Sequence, residues 1–280
     1  MLYINLIKKR IIILIPILIL LFSIILLVNM LMNNSIIYDI DMKGGLQILI
    51  SLNNKPDIHF IENILKDYKP TIRISEGISD YTLIIQTSEN VNYDEIISKL
   101  KENGYSFSNW SVQTLSASLG TSFLKQAEFV LFVAFIFMSI TIFILFKNPL
   151  PSFYVVLCGV ADIIETFVAS QLLGIPLSLA TFTGLLLLIG YSVDTDILLT
   201  TRMIKGEQSL REEKLKSALK TGLTMTGTSF CAVSVLFLIS YSNVIVQIAS
   251  ILMIGLLFDI LNTWITNASL IYWYAEKKGI

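Results

Sequence analysis

Charge is what this chain has least of. Asp, Glu, Lys and Arg make up 15% of its 280 residues, and 20 basic against 21 acidic side chains leave a formal net charge of −1. With no basic excess to attract a polyanion, nucleic acid is not an expected partner. Histidine occurs once, at His59, and cysteine twice, at Cys158 and Cys231, both in apolar runs. These supply neither a disulfide framework nor a zinc ligand set. There is no glycine-rich loop closing on Lys-Ser/Thr, so the chain has no ATP motif of its own. A Ser/His arrangement for acyl transfer has only His59 to draw on. Neither a cofactor nor a metal is expected.

Hydrophobic surface is what it has in quantity. Hydrophobic residues reach 54% and the mean hydropathy is +0.73, too apolar for an ordinary soluble domain. Lys8, Lys9 and Arg10 precede an uncharged run over residues 11–32, long enough to cross a bilayer. A secretory signal has the same plan, but with a shorter apolar region and a small-residue cleavage site after it. Met-Asn-Asn-Ser follows here, so the run reads as an uncleaved anchor whose basic flank holds the N-terminus in the cytoplasm. Further apolar runs at 129–146, 151–172, 176–199, 221–240 and 244–273 bring the expected spans to six.

Residues 33–127 differ: charges and turn residues return. Residues 38–52 hold YDIDMKGG and then an alternating LQILISL that suits a strand. Helical spacing of Ile58, Ile61, Ile64 and Leu65 predicts a helix over 57–68. Residues 71–75 and 81–87 read as strands around a turn at 76–80. A second helix is expected at 93–103, with Gly104 as its stop, and a last strand at 107–115. The order βαββαβ predicts a ferredoxin-like α+β domain, with His59 on a helix surface. The chain is thus expected to be an α-helical polytopic membrane protein with an inserted extracytoplasmic domain. Its divisions are 1–32 for the N-terminus and first span, 33–127 for the domain and 128–280 for the remaining spans.

Orientation follows from Lys and Arg. Threading six helices from inside puts Lys147; then Arg202, Lys205, Arg211, Lys214, Lys216 and Lys220; then Lys277 and Lys278 on the cytoplasmic side. The short outer connections near Gly174 and Ser242 have neither residue type, as the positive-inside rule requires. Both termini are then cytoplasmic, and residues 33–127 lie outside. Asn33 and Asn109 there each open an Asn-x-Ser acceptor pattern.

The few charges inside the spans are the candidate functional groups. A carboxylate in hydrocarbon costs about 2.5–3.5 kcal/mol at the centre of a helix. Asp194 and Asp196 close the fourth span, Asp162 and Glu165 lie in the third, and Asp259 lies in the last. Asp162 and Glu165, i and i+3, share a face and would repel if both were ionised, so one of them is expected to keep a proton. Asp194 and Asp196 are turned about 200° apart and cannot form a dyad on one regular helix. Two readings fit these acids: a proton pathway, or hydrogen-bonding glue between helices. A third puts Asp194 and Asp196 at an early helix end, in water. Asp194 and Arg202 share a stripe about 12 Å apart along the axis, and Arg202 reads mainly as a cytoplasmic interface anchor. Ser192, Thr195, Thr224 and Thr228 supply hydroxyls for the acids or for packing. Gly184, Gly190, Gly222 and Gly227 read as points of close helix approach.

Three stretches carry a resemblance. GYSVDTDILLTTR at 190–202, preceded by LGIPLSLAT, closely resembles the fourth span of the archaeal SecF family of protein-export membrane proteins. LLFDILNTWITNASLIYWY is similar to that family's terminal helix. IDMKGG at 40–45 resembles the motif that opens the SecD/SecF outer domain, with Asp39 where that motif often has Gly. The likeness covers essentially the whole chain, and the family belongs to the resistance-nodulation-division superfamily. It implies one half of a twelve-helix unit whose other half is a SecD-like subunit. It implies work beside the Sec translocon channel in the cell membrane, aiding export of unfolded polypeptides with the proton motive force, and no enzymatic activity. Bacterial members tend to carry Asn-Asp-Thr where this chain has Asp194-Thr195-Asp196, so their acid falls at Thr195. A half-transporter for a small solute or lipid, an intramembrane aspartyl protease and a passive scaffold remain as rivals.

Overall fold

An uncharged stretch as long as Ile11–Met32 satisfies its backbone in lipid only as a helix. A 3-10 turn, Arg10–Ile13, runs into α1, Leu14–Met32. The computed structural model describes residues 7, 10–76, 81–107, 109–205, 210–240 and 242–279.

After α1 the chain makes a single helical turn, α2 (Ile40–Lys43), then β1 (Gly45–Leu52), α3 (Ile58–Ile64), β2 (Thr71–Glu76), β3 (Tyr81–Thr87), α4 (Tyr93–Glu102) and β4 (Trp110–Leu115). Side-chain caps start the helices: Asp57 accepts from the Phe60 N–H at 3.3 Å, and Asn92 from the Asp94 N–H at 3.0 Å. The strands form one antiparallel sheet in the order β2-β3-β1-β4, with Ile48 opposite both Ile85 and Val112. The two most apolar strands therefore take the centre. Leu46, Ile48, Ile50, Leu83 and Ile85 lie on one face by strand alternation, and Ile61, Leu65, Ile96 and Leu100 of the helical segments cover it. This is the expected ferredoxin-like arrangement.

Local differences have local causes. Residues 40–43 wind into a turn because Asp39 accepts from the Ile40 N–H; Gly44 and Gly45, at φ 77° and 136°, then swing the chain into β1. The helix expected over 57–68 stops at Ile64 and tightens to a 3-10 turn, Lys66–Tyr68, before left-handed Lys69 and Pro70. Beyond residue 76, the expected turn at 76–80 lies outside the described residues.

Among the described residues six helices are long and apolar enough to cross a membrane. After α1 come α5 (Ala117–Phe146), α6 (Pro149–Leu172), α7 (Leu179–Lys205) and α8 (Arg211–Ile239). The last span is α9 (Asn243–Leu261), a π-helical turn (Asn262–Asn267) and α10 (Ala268–Lys278). With its 30 residues, α5 is about 45 Å long, against a hydrocarbon core of about 30 Å. Its first turns, with Lys125 and Glu128, therefore reach beyond the expected span of 129–146. Spans α6, α7, α8 and α9 pack where small residues allow it. A Cβ on Gly255 would meet Leu188 at 2.3 Å, one on Gly184 would meet Ile251 at 3.0 Å, and one on Gly222 would meet Trp264 at 2.2 Å.

Candidate functional site: buried acids between the spans

Burying a polar side chain in a membrane span is costly unless it finds a partner inside the protein. Asp162 and Glu165 share the inner face of α6 and both are buried. One amide nitrogen serves the pair: Asn262 Nδ2 donates to Asp162 Oδ1 at 2.8 Å and to Glu165 Oε2 at 2.7 Å. From α7, Ser192 Oγ donates to the second oxygen of Asp162.

The next group centres on Asp259 of α9. Thr195 Oγ1 of α7 lies 3.0 and 3.2 Å from its two oxygens, and Thr263 Oγ1 donates to Oδ1 at 3.0 Å. The same Thr195 hydroxyl is 2.9 Å from the Ser192 carbonyl, so its single proton is shared. Further along α7, Asp196 Oδ1 accepts from Asn267 Nδ2 at 2.7 Å, and that amide also reaches Thr200 Oγ1 at 3.4 Å. Four carboxyl groups are thus gathered where α6, α7 and the last span meet.

The chemistry of the donors is uniform. Among the described residues the ion pairs are His59–Glu62, Arg73–Asp39 and Lys99–Asp67, and none involves these four acids. Their partners are hydroxyls and amides, all neutral. Among the described residues no cation pairs with an ionised carboxylate here, and Coulomb repulsion between neighbours is poorly screened in such a medium. A hydroxyl can donate to a carboxylate or accept from a carboxylic acid, so Ser192, Thr195 and Thr263 serve either form. Glu165 Oε1 and Asp196 Oδ2 are buried with no hydrogen-bond partner, which leaves each acid an oxygen free to carry a proton.

The π-helical turn explains how one span can serve four acids. Its i→i+5 bonding widens the turn and re-aims the side chains that follow. Asn262, Thr263 and Asn267 all lie within it and all are buried. None of these three residues is among the candidates that the sequence pattern marks. The signal was there: NTWITN puts four polar side chains within six residues of an otherwise apolar span. No period-3.6 argument assigns all of them to one set of partners.

Other expected site residues stand elsewhere. Asp194 is exposed on α7, beside a recess lined by Tyr191, Thr228, Ser229 and Leu256. Thr224 and Thr228 bond back to their own helix, to Lys220 O and Met225 O, each at 2.8 Å, and do not reach the acids. The reason is rotational: both face outward from α8. Arg202 donates to Ser217 Oγ at 2.6 Å, tying the end of α7 to α8. Gly184 and Gly222 are close-packing points, whereas Gly190 and Gly227 have nothing within 4 Å of a built Cβ.

Comparison with known proteins agrees with this architecture. The family described as "Protein export membrane protein SecD/SecF, C-terminal" matches residues 95–277. SecF of Methanocaldococcus jannaschii is 36% identical over 247 residues, covering 85% of this chain and 87% of that protein. SecF of Pyrococcus furiosus is 35% identical over 265 residues, covering 91% and 87%. Among solved structures, the crystal structure of SecDF, a translocon-associated membrane protein from Thermus thermophilus, superposes with a TM-score of 0.78 at 14% identity. That match covers 95% of this chain but spans only 38% of the solved one. The chain, a multi-pass membrane protein with six candidate spans, belongs to the SecD/SecF family of protein-export membrane proteins, among its SecF members.

Proposed function

We propose that this chain is the SecF half of a SecD/SecF unit and aids export of unfolded polypeptides beside the Sec translocon, drawing on the proton motive force. The observation that carries the reading is the set Asp162, Glu165, Asp196 and Asp259, buried between spans with neutral partners only. Loading or removing a proton changes the net charge between α6, α7 and the last span, and so changes how closely those helices pack. Moving one charge through the membrane field is worth about 2.3 kcal/mol per 100 mV, enough to shift a two-state equilibrium by more than tenfold.

A SecD-like partner is supported by the face of α7 that carries Tyr191 and Asp194. An exposed carboxylate in the span, next to Gly190 with open space over it, calls for a polar cover that lipid does not provide. Gly227 on α8 adds a second small residue with open space over it. Lys147, Lys205, Arg211, Lys277 and Lys278 gather at the helix ends away from the α+β domain, which supports cytoplasmic termini and an extracytoplasmic domain.

The test is export into inverted membrane vesicles at full proton gradient, with Asp162→Asn, Glu165→Gln, Asp196→Asn and Asp259→Asn in turn. Loss of about tenfold or more in the gradient-dependent part is expected for at least Asp162 and Asp259. Four variants that export as the parent does would overturn proton coupling through these acids.

A further inference from the structure

The segment that leads from α1 into the sheet is bonded to the loop that leads into α7. Leu177 N–H donates to Ile37 O at 2.7 Å, and Asp39 N–H donates to Leu177 O at 2.8 Å, a parallel bridge around Tyr38. Gln171 holds the same loop from α6: its side-chain oxygen accepts from Ile37 N–H at 2.8 Å, and its Nε2 donates to Ile175 O at 3.1 Å. Two residues after Leu177, α7 begins, the helix of Ser192, Thr195 and Asp196.

Asp39 faces the other way with its side chain. Its carboxylate accepts from Gln86 Nε2 of β3 and lies 3.8 Å from Arg73 Nη2 of β2. Arg73 Nη2 donates to Gln86 Oε1 at 2.6 Å, and Gln86 Nε2 reaches Gln47 Oε1 of β1 at 2.6 Å. Asp39 also caps α2, which lies so close to α5 that a Cβ on Gly120 would meet Gly44 N at 2.5 Å. One buried residue thus holds the α7 loop through its backbone and three strands, directly or through Gln86, with its carboxylate. A buried, charge-assisted network of this kind is stiff, because opening it leaves charged groups without partners.

We propose that Asp39 is a positioning residue of the coupled cycle: it joins the outer domain to the first turn of α7, so that a shift of α7 reaches the sheet. This rests on the proton-coupled reading above. The joint is read by hydrogen exchange on the full chain in vesicles with its SecD-like partner, comparing the parent with Asp39→Ala and Asp39→Asn. Asn keeps an acceptor oxygen for Ile40 and Gln86. Without a gradient, Asp39→Ala is expected to speed exchange at residues 37–39 and 177 at least tenfold. Residues 81–87 should stay at the parent rate, and Asp39→Asn, which keeps the acceptor but loses the charge facing Arg73, should fall between the parent and Asp39→Ala. Exchange in Asp39→Ala equal to the parent overturns the joint. So does faster exchange that extends to residues 81–87, since Asp39 would then be a fold residue of the domain. With a proton gradient imposed, the parent is expected to change its exchange at residues 177–182, with a matching change in residues 81–87. In Asp39→Ala the second change should vanish while the first remains; its survival overturns the positioning role. A parent with no gradient response at all refutes the proton-coupled reading and the positioning role with it, while the static joint is still decided by the gradient-free comparison.

Discussion

Asn262 donates from a single amide nitrogen to two carboxyl groups, Asp162 at 2.8 Å and Glu165 at 2.7 Å. Removing it leaves two buried acids on one helix face with that shared donor gone. Asn262→Leu keeps the volume close and deletes the bridge. The expected outcome is a destabilisation of about 1–3 kcal/mol, with gradient-dependent export reduced more than gradient-independent export. Thermal unfolding of the purified chain and vesicle export measure the two parts. Unchanged values for both would mean that the bridge carries neither stability nor coupling.

Much of this site was legible in the sequence, and the missing part has a definite cause. Asp162, Glu165, Asp196 and Asp259 announce themselves because a carboxyl in an apolar run is conspicuous. Opposite placement of Asp194 and Asp196 follows from helix geometry, and one is exposed while the other is buried. Asn262 and Asn267 were not legible as partners, because the π-helical turn shifts the rotation on which face arguments depend. The order βαββαβ was readable because LQILISL alternates and because Ile58, Ile61, Ile64 and Leu65, then Ile96, Ile97 and Leu100, keep a helical spacing. The sewing of residues 37–39 to the α6–α7 loop was not, since a backbone bridge leaves no side-chain pattern.

The glycines divide into two classes with opposite expectations. Gly222→Ala places a Cβ 2.2 Å from the Trp264 ring, so overpacking of about 1–3 kcal/mol should lower the unfolding midpoint of the chain on its own. Gly190→Leu meets open space and gains helix propensity, so the isolated chain should be no less stable. Its effect should fall on assembly, with recovery of a co-purified SecD-like subunit down about fivefold or more, roughly 1 kcal/mol. Full recovery with Gly190→Leu would remove this face of α7 as the partner surface.

Asp41 gives a pH dependence outside the membrane. Burial, then the neighbouring Asp39 carboxylate, push its carboxyl above the ordinary 3.8, while the Leu179 N–H pulls it back. The folded chain then holds this proton more tightly than the unfolded one. Stability from Asp41 is therefore full below its unfolded value and is lost as pH rises through the raised folded value. Asp41→Asn should raise the unfolding midpoint at neutral pH and make no difference at about pH 3. A gap between variant and parent that is the same at both pH values would contradict this.

The most direct measurement is infrared difference spectroscopy on the full chain with its SecD-like partner, in vesicles with and without a proton gradient. The expected result is a carboxylic-acid carbonyl band that changes with the gradient and loses a component in Asp162→Asn or Asp259→Asn. A spectrum indifferent to the gradient, or one whose gradient response survives unaltered when all four buried acids are replaced by their amides, would contradict proton coupling at this site.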